Sequence, residues 1–328
     1  MSRWRVTKAD LNPDREPGIS GFMRLKNEAE FLDRAFESHL PALDELIVVY
    51  NDCTDKTPEI CREWARRCPE KIKLFEYEPK VTPLGTPEAI EIDSGSENSL
   101  ANYYNFSLCQ TTRQIVFKVD GDHIMNPKRF AQICHRVRRR LKRNERWPVY
   151  GINLADTPAG VGVYNFYDFR PHHDGKPVGP PPFTAGDHCF YYVDETTWHD
   201  TDRDHGYEIM PISHKRRSRF AHDAYTFFHA KGLKSDQGTA NWLEGEGENK
   251  RSEWIRNVRG SSADRVVSLA AMARANPSYF AGIDFAREFE TLFPGRRLLG
   301  GRSELGFAGM AAAFKKAALD IYADLSLV

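Results

Sequence analysis

The first half of the chain predicts a doubly wound α/β sheet. Near-continuous apolar runs alternate with segments whose apolar residues recur at one-turn spacing, in the order β-α-β-α-β-α-β-α. The runs are apolar at successive positions, as strands buried on both faces of a parallel sheet are. Polar turns follow them, and in open sheets of this kind ligands bind outside the carboxyl ends of the strands.

The elements follow in order. Ile19 to Leu25 reads as the first strand, and Lys26-Asn27-Glu28 follows it. Phe31, Leu32, Ala35 and Phe36 mark the buried stripe of a helix that Pro41 ends. Leu46 to Tyr50 is a fully apolar strand, and Asn51 to Asp55 is a turn in which Thr54 is expected to cap the next helix. Ile60, Cys61, Trp64, Ala65 and Cys68 give that helix its inner face, and Ile72 to Phe75 begins a third strand. Residues 79 to 98, rich in Pro, Gly and acids, read as a long loop of the kind that is often functional. Ser99 to Cys109 reads as helix and Ile115 to Val119 as another buried strand, which ends in Asp120-Gly121-Asp122-His123. Pro127 then opens a helix with Phe130, Ile133, Cys134, Val137 and Leu141 on one face.

The second half changes character. Residues 156 to 187 carry many Gly, Pro, His and Asp with little periodicity. Cys189 to Val193 reads as a strand, Phe220 to Lys231 is aromatic and His-rich, and Gly245 to Asn249 resembles a polar linker. Beyond it Met310, Ala313, Phe314, Ala317, Ile321 and Leu325 form one apolar helical stripe. The predicted organisation is one α/β domain over residues 1–240, with a first half at about 19–130 and a second at about 150–240, and a helical extension over 241–328.

Composition removes several function classes. Of the 328 residues 41% are hydrophobic, enough for a sizeable core. Lys plus Arg and Asp plus Glu are both 46, and this zero balance argues against a nucleic-acid binder. No apolar run approaches the ~18 residues of a membrane helix, and Met1 to Arg5 leads into polar sequence without the apolar core of an export signal. The six cysteines form no C-x-x-C pair and read as reduced thiols, consistent with a cytoplasmic protein.

Asp120-Gly121-Asp122 is the most informative feature. Two carboxylates flanking a glycine at a strand end can turn toward one hard cation, Mg²⁺ or Mn²⁺, and share it with substrate phosphates. The plain alternative is an acidic turn. Around this motif the chain resembles family 2 glycosyltransferases of the GT-A fold. Ile19 to Glu28 resembles that family's opening strand followed by K-N-E. Leu46 to Thr57 resembles its strand ending in D-x-G-S-T-D-x-T, and Tyr103-Tyr104-Asn105-Phe106-Ser107-Leu108 falls where the family has A-R-N-x-G-L. Tyr104 stands in place of the usual Arg, and neither Tyr50 nor Asn51 is the acid expected to contact uracil.

The resemblance implies a Rossmann-like mixed sheet flanked by helices, a nucleotide-diphosphate sugar donor (a UDP-sugar before others), and an inverting transfer to a hydroxyl. Asp120 and Asp122 would hold the metal, joined by His229 in its aromatic H-x-K setting, with His123 as a lesser candidate beside them. Asn51, Asp52, Asn105, Asp120 and Lys231 would line the donor. For the base that activates the acceptor, Glu208 is the first choice and Asp187 the second, with Asp204 also open. The implied acceptor is a surface glycan or lipid-linked saccharide. Basic clusters at Arg136 to Arg143 and Lys215 to Arg219 read either as solvated faces or as peripheral contacts with an anionic membrane face. His172-His173-Asp174 sits in a Gly/Pro-rich stretch that reads as a loop over the site. A homo-oligomer is possible through the extension. Two other classes remain open: an inactive glycan- or nucleotide-binding module on this fold, and a sugar nucleotidyltransferase. The second is disfavoured because Arg24 to Glu28 contains no glycine for a phosphate loop.

Overall fold

The computed structural model describes residues 2–83, 86–146, 148–156, 162–169, 184–194, 196–203, 208–210, 218–220, 225–230 and 285–292. The parallel strands are β1 (Glu16–Leu25), β2 (Glu45–Tyr50), β3 (Ile72–Glu76) and β4 (Arg113–Val119), ordered β3-β2-β1-β4. The first half of the chain thus forms the predicted parallel sheet. Every residue of β2 is buried, as its unbroken apolar run requires of a strand between two others.

Helices cover both faces. Register places Gly21 opposite Phe117 and Phe22 opposite Lys118. On the Phe117 side lie α1 (Ala29–His39) and α5 (Pro127–Lys142), where Phe117 packs on His39 and Phe130. On the Phe22 side lies α4 (Leu100–Cys109), where Phe22 meets Tyr104 edge-on. Trp64 of α2 (Thr57–Arg67) packs against Phe36 of α1. Burial of Phe31, Leu32, Ala35 and Phe36 confirms the stripe read from their spacing.

Beyond β4 the sheet becomes antiparallel. β8 (Thr184–Tyr192) pairs with β4, then follow β6 (Val149–Asp156), β7 (Gly162–Phe169), β12 (Phe227–His229) and β5 (His123–Met125). β11 (Ser218–Phe220) pairs with β7 off this path. A separate ribbon joins β9 (Asp200–Thr201) to β10 (Glu208–Ile209). The architecture is therefore a mixed sheet flanked by helices. Of residues 241–328, the helix α6 (Phe285–Leu292) is described. Its Glu288 receives a two-pronged bond from Arg129 at 2.9 Å on each oxygen, and bonds from Asn126 and Tyr225. The helical stripe from Met310 to Leu325 lies outside the described residues.

Two local readings change. Thr54 does not cap α2, because the helix begins only at Thr57 with Lys56 at its N-cap position; Asp55, one residue earlier, accepts from Thr57 N at 2.9 Å. The stretch at 79–98 contains a short helix, α3 (Pro87–Glu91), capped by Thr86, whose hydroxyl accepts from Ala89 N. All six cysteines are free thiols, and burial pushes the thiols of Cys53 and Cys109 up to about 11 and about 12.

Candidate active site

The loops after β1 and β2 are built into one unit. Lys26 Nζ pairs with Asp52 at 2.8 Å, and Asn27 exchanges side-chain bonds with the backbone and hydroxyl of Thr54. Glu28 N donates to Thr57 Oγ1, and Ala29 N donates to Asp55 Oδ2. Asp55 thereby serves the first turns of both α1 and α2. Asn27 (φ 55°) and Asp52 (φ 45°) adopt the left-handed conformation that Asn and Asp tolerate best after Gly. The K-N-E and D-x-x-D-x-T residues thus hold the carboxyl end of the sheet in shape.

β4 delivers Asp120 and Asp122 to that end. A side chain at Gly121 would put its Cβ 2.8 Å from Glu28 Cβ and 2.9 Å from Leu25 Cδ2, so the tight turn between the two acids requires glycine. Asp122 is buried, whereas Asp120 keeps a quarter of its side chain exposed. β12 runs beside β5 with His229 opposite His123, and Ala230 N donates to Asp122 O. This pairing brings His229 Nε2 to 3.3 Å from Asp122 Oδ2.

His188 enters from β8. Its Nδ1 lies 3.8 Å from Asp120 Oδ2, and His123 Nε2 lies 3.6 Å from the same oxygen. The ring centroids of His123 and His188 are 4.0 Å apart, and those of His123 and His229 are 4.5 Å apart. Gly151 makes the space on the neighbouring strand, since a Cβ there would come 2.7 Å from the His188 carbonyl oxygen. Burial first, then the neighbouring imidazoles, hold His123 well below the usual histidine range.

A second group of charges flanks the acids. Lys118 Nζ sits 3.8 Å from Asp120 Oδ1 and 3.6 Å from Glu208 Oε1. Tyr104 lies between the Arg24 guanidinium, 3.2 Å from its ring centroid, and the stacked His199 ring. Tyr104 is buried.

The sequence-predicted residues therefore divide. Asp120, Asp122, His123 and His229 come together, and Glu208 stands across Lys118 from Asp120. Asn51 and Asn105 are buried with their amides committed to backbone. Asn51 donates to the carbonyls of Tyr77 and Pro79, and Asn105 exchanges bonds with the His199 backbone. These contacts fix both side chains beneath the carboxyl end of the sheet. Asp52 is paired with Lys26 at the rim. Asp187 lies on β8 beside His188, but its side chain is outside the described residues, as are Lys231, Asp204, Lys215, Arg216, Arg217 and His172-His173-Asp174. Sequence reading missed Arg24, Lys118 and His188. A charged residue inside an otherwise apolar strand was the available signal for the first two. His188 had none, because its place depends on which strands pair.

Residues 5–142 match the family model described as Beta-1,4-N-acetylgalactosaminyltransferase (CgtA). No curated protein sequence matches the chain. Among solved structures, TarS of S. aureus is 18% identical over 40% of this chain and 20% of its own, with a TM-score of 0.27. Glucosyl-3-phosphoglycerate synthase from Mycobacterium tuberculosis, in complex with Mn²⁺, UDP and phosphoglyceric acid, is 24% identical over 33% of this chain and 34% of its own, with a TM-score of 0.23. The chain thus spans about a fifth to a third of the length of these structures. From residue 5 to residue 142 the chain is similar to a glycosyltransferase family, in agreement with the resemblance of its motifs.

Proposed function

We propose that this protein transfers a sugar from a nucleotide-diphosphate donor, a UDP-sugar before others, to a hydroxyl of a glycan or lipid-linked acceptor, with inversion. The observation that carries the reading is the convergence of Asp120 and Asp122 with His229 at the carboxyl end of the sheet. The donor set fits a divalent cation, because Asp120 and Asp122 each bring a carboxylate oxygen within 4.8 Å of the other and His229 Nε2 lies 3.3 Å from Asp122 Oδ2. Asp120, Asp122 and His229 would hold the cation, which when bound supplies positive charge to a diphosphate leaving group.

The chain's own groups supply the rest. Lys118, 3.8 Å from Asp120, and Arg24, held against the same Tyr104 ring that Lys118 approaches, are cations that would help neutralise a diphosphate. The Lys26–Asp52 and Asn27–Thr54 contacts hold the loops that would flank the base. Glu208, within ion-pair distance of Lys118, is the acid best placed to take the acceptor's proton, and Asp187 remains the second choice. Among the described residues no helix is long and apolar enough to cross a membrane. The basic face of α5, with Arg136, Arg139, Lys142 and Arg143, suits peripheral contact with an anionic inner membrane face.

The reading is tested by thermal unfolding with UDP, GDP, CMP and TDP, each with and without Mn²⁺. A ligand at ~100 times its Kd adds about 2.7 kcal/mol. A cation-dependent shift with one nucleotide, lost in Asp122→Asn, is expected. Release of UDP from UDP-N-acetylgalactosamine, the donor to try first given the matching family's description, would then report turnover. No shift with any nucleotide would refute the donor site; binding without release in any donor–acceptor pairing would favour the inactive binding module.

A further inference from the structure

We propose that His123, His188 and His229 form, against Asp120 and Asp122, a nitrogen-rich cation site that takes a borderline transition ion of the Mn²⁺, Co²⁺ or Zn²⁺ class and discriminates against Mg²⁺. The proposal rests on the cation role given above to the two acids and goes beyond it by assigning His123 and His188 as ligands and the ion's class.

Three observations carry it. The first is convergence. One nitrogen from each of the three imidazoles lies within 4.8 Å of the others, and His123 also belongs to the group with Asp120 and Asp122, so the two donor sets meet at one residue. The rings are close to mutually perpendicular, at 88°, 79° and 90°, so they do not stack on one another. The second is burial without satisfaction. His123 is 0% exposed, yet neither of its ring nitrogens has a hydrogen-bond partner among the described residues, and His229 Nδ1 also has none. Buried polar groups left in this state are costly, and an ion is one thing that satisfies them. The third is construction. The imidazoles come from three strands, β5, β8 and β12; His123 and His229 are register partners, and Gly151 clears the backbone beside His188.

The donor chemistry decides the class of ion. Mg²⁺ prefers oxygen ligands in near-octahedral array and keeps several waters. Imidazole suits the transition ions, whose affinities at such sites rise from Mn²⁺ through Co²⁺.

The test uses the full chain, freed of metal by a chelator and titrated with MgCl₂, MnCl₂, CoCl₂ or ZnCl₂ without nucleotide. One Co²⁺ or Zn²⁺ per chain is expected, bound on the order of 100-fold more tightly than Mg²⁺. His188→Gln should weaken Co²⁺ roughly tenfold or more and alter its visible absorption, leaving Mg²⁺ binding within about twofold. If that variant does not fold, electron spin echo spectra of Mn²⁺ on the unaltered protein answer the question, with couplings from more than one imidazole nitrogen expected. Equal affinity for Mg²⁺ and Co²⁺, an unaffected His188→Gln, or coupling to one nitrogen at most would overturn the proposal. The two readings fail separately. UDP binding supported equally by Mg²⁺, and unchanged in His188→Gln, would sink this inference and leave the donor site standing. Histidine-ligated Co²⁺ with no nucleotide bound would do the reverse.

Discussion

Glu45 tests how the amino-terminal edge of the parallel strands is held. Its carboxylate is 4% exposed and accepts from Ser20 Oγ and Thr112 N at 2.5 Å each, from Thr112 Oγ1 at 2.9 Å and from Lys73 Nζ at 2.8 Å. One side chain therefore ties β1, β2, β3 and the entry to β4. In Glu45→Gln the amide oxygen can keep Ser20 and Thr112 N, and the Thr112 hydroxyl can rotate to accept. Lys73 would face an N–H and turn to water, which its 46% exposure allows. One charge-assisted bond is lost, about 1.5–3 kcal/mol. Glu45→Ala leaves the Ser20 and Thr112 donors stranded and should cost more, about 3 kcal/mol, the lower end for breaking a buried pair because Lys73 re-solvates. Burial alone would raise the Glu45 pKa, but bonds from Lys73, Ser20 and Thr112 outweigh it and hold it below the ordinary value. The unfolded chain then binds the proton more readily than the folded one, so stability rises with pH. Glu45's share is fully present above its unfolded pKa of about 4.3 and is lost as pH falls through its folded value. Urea titrations from about pH 3 to 7 should show a weaker acid dependence in Glu45→Gln than in the parent. A Gln variant within about 0.5 kcal/mol of the parent, with the same pH dependence, would refute the reasoning.

Other substitutions probe the site's scaffold. Gly121→Ala should cost about 1–3 kcal/mol by overpacking against Leu25 and Glu28 and should diminish the cation-dependent nucleotide shift; unchanged melting and binding would mean the turn has slack. Gly151→Ala presses on backbone at the His188 carbonyl, so a loss of about 1–3 kcal/mol with displaced histidine NMR signals is expected, and unmoved signals would count against it. Glu288→Ala removes the forked bond to Arg129, and amide exchange over residues 285–292 should quicken by about tenfold or more, the equivalent of about 1.4 kcal/mol; parent-like exchange would show that α6 is held by other contacts.

The parallel half was legible because its signal is local. Apolar runs such as Leu46 to Tyr50 and one-turn stripes such as Phe31 to Phe36 are written within short windows, and the structure buries the same residues. Even α3 had its Thr-Pro-Glu opening in plain view, though a Pro- and Gly-rich setting masked it. The antiparallel half was less legible because its strands depend on partners far away in the chain. β12 has three residues and exists as a strand because β5 and β7 lie on either side of it. The same dependence hid His188, whose neighbours are set by the pairing of β8 with β4 and β6.

Tyr104 illustrates how a motif read position by position can mislead about chemistry. Where the resemblance expects an Arg on this helix, the chain has a tyrosine, and the linear reading counts one cation fewer. Arg24 on β1 and Lys118 on β4 face the same side of the sheet as Phe22, and all three meet the Tyr104 ring. The ring holds the Arg24 guanidinium against its face, an interaction worth about 2 kcal/mol when desolvated. A tyrosine at 104 therefore supports cations from the sheet. Replacing it with arginine would bury a third positive charge among Arg24 and Lys118. The substitution and the two strand cations make sense together, and neither could be interpreted before the strands were seen side by side.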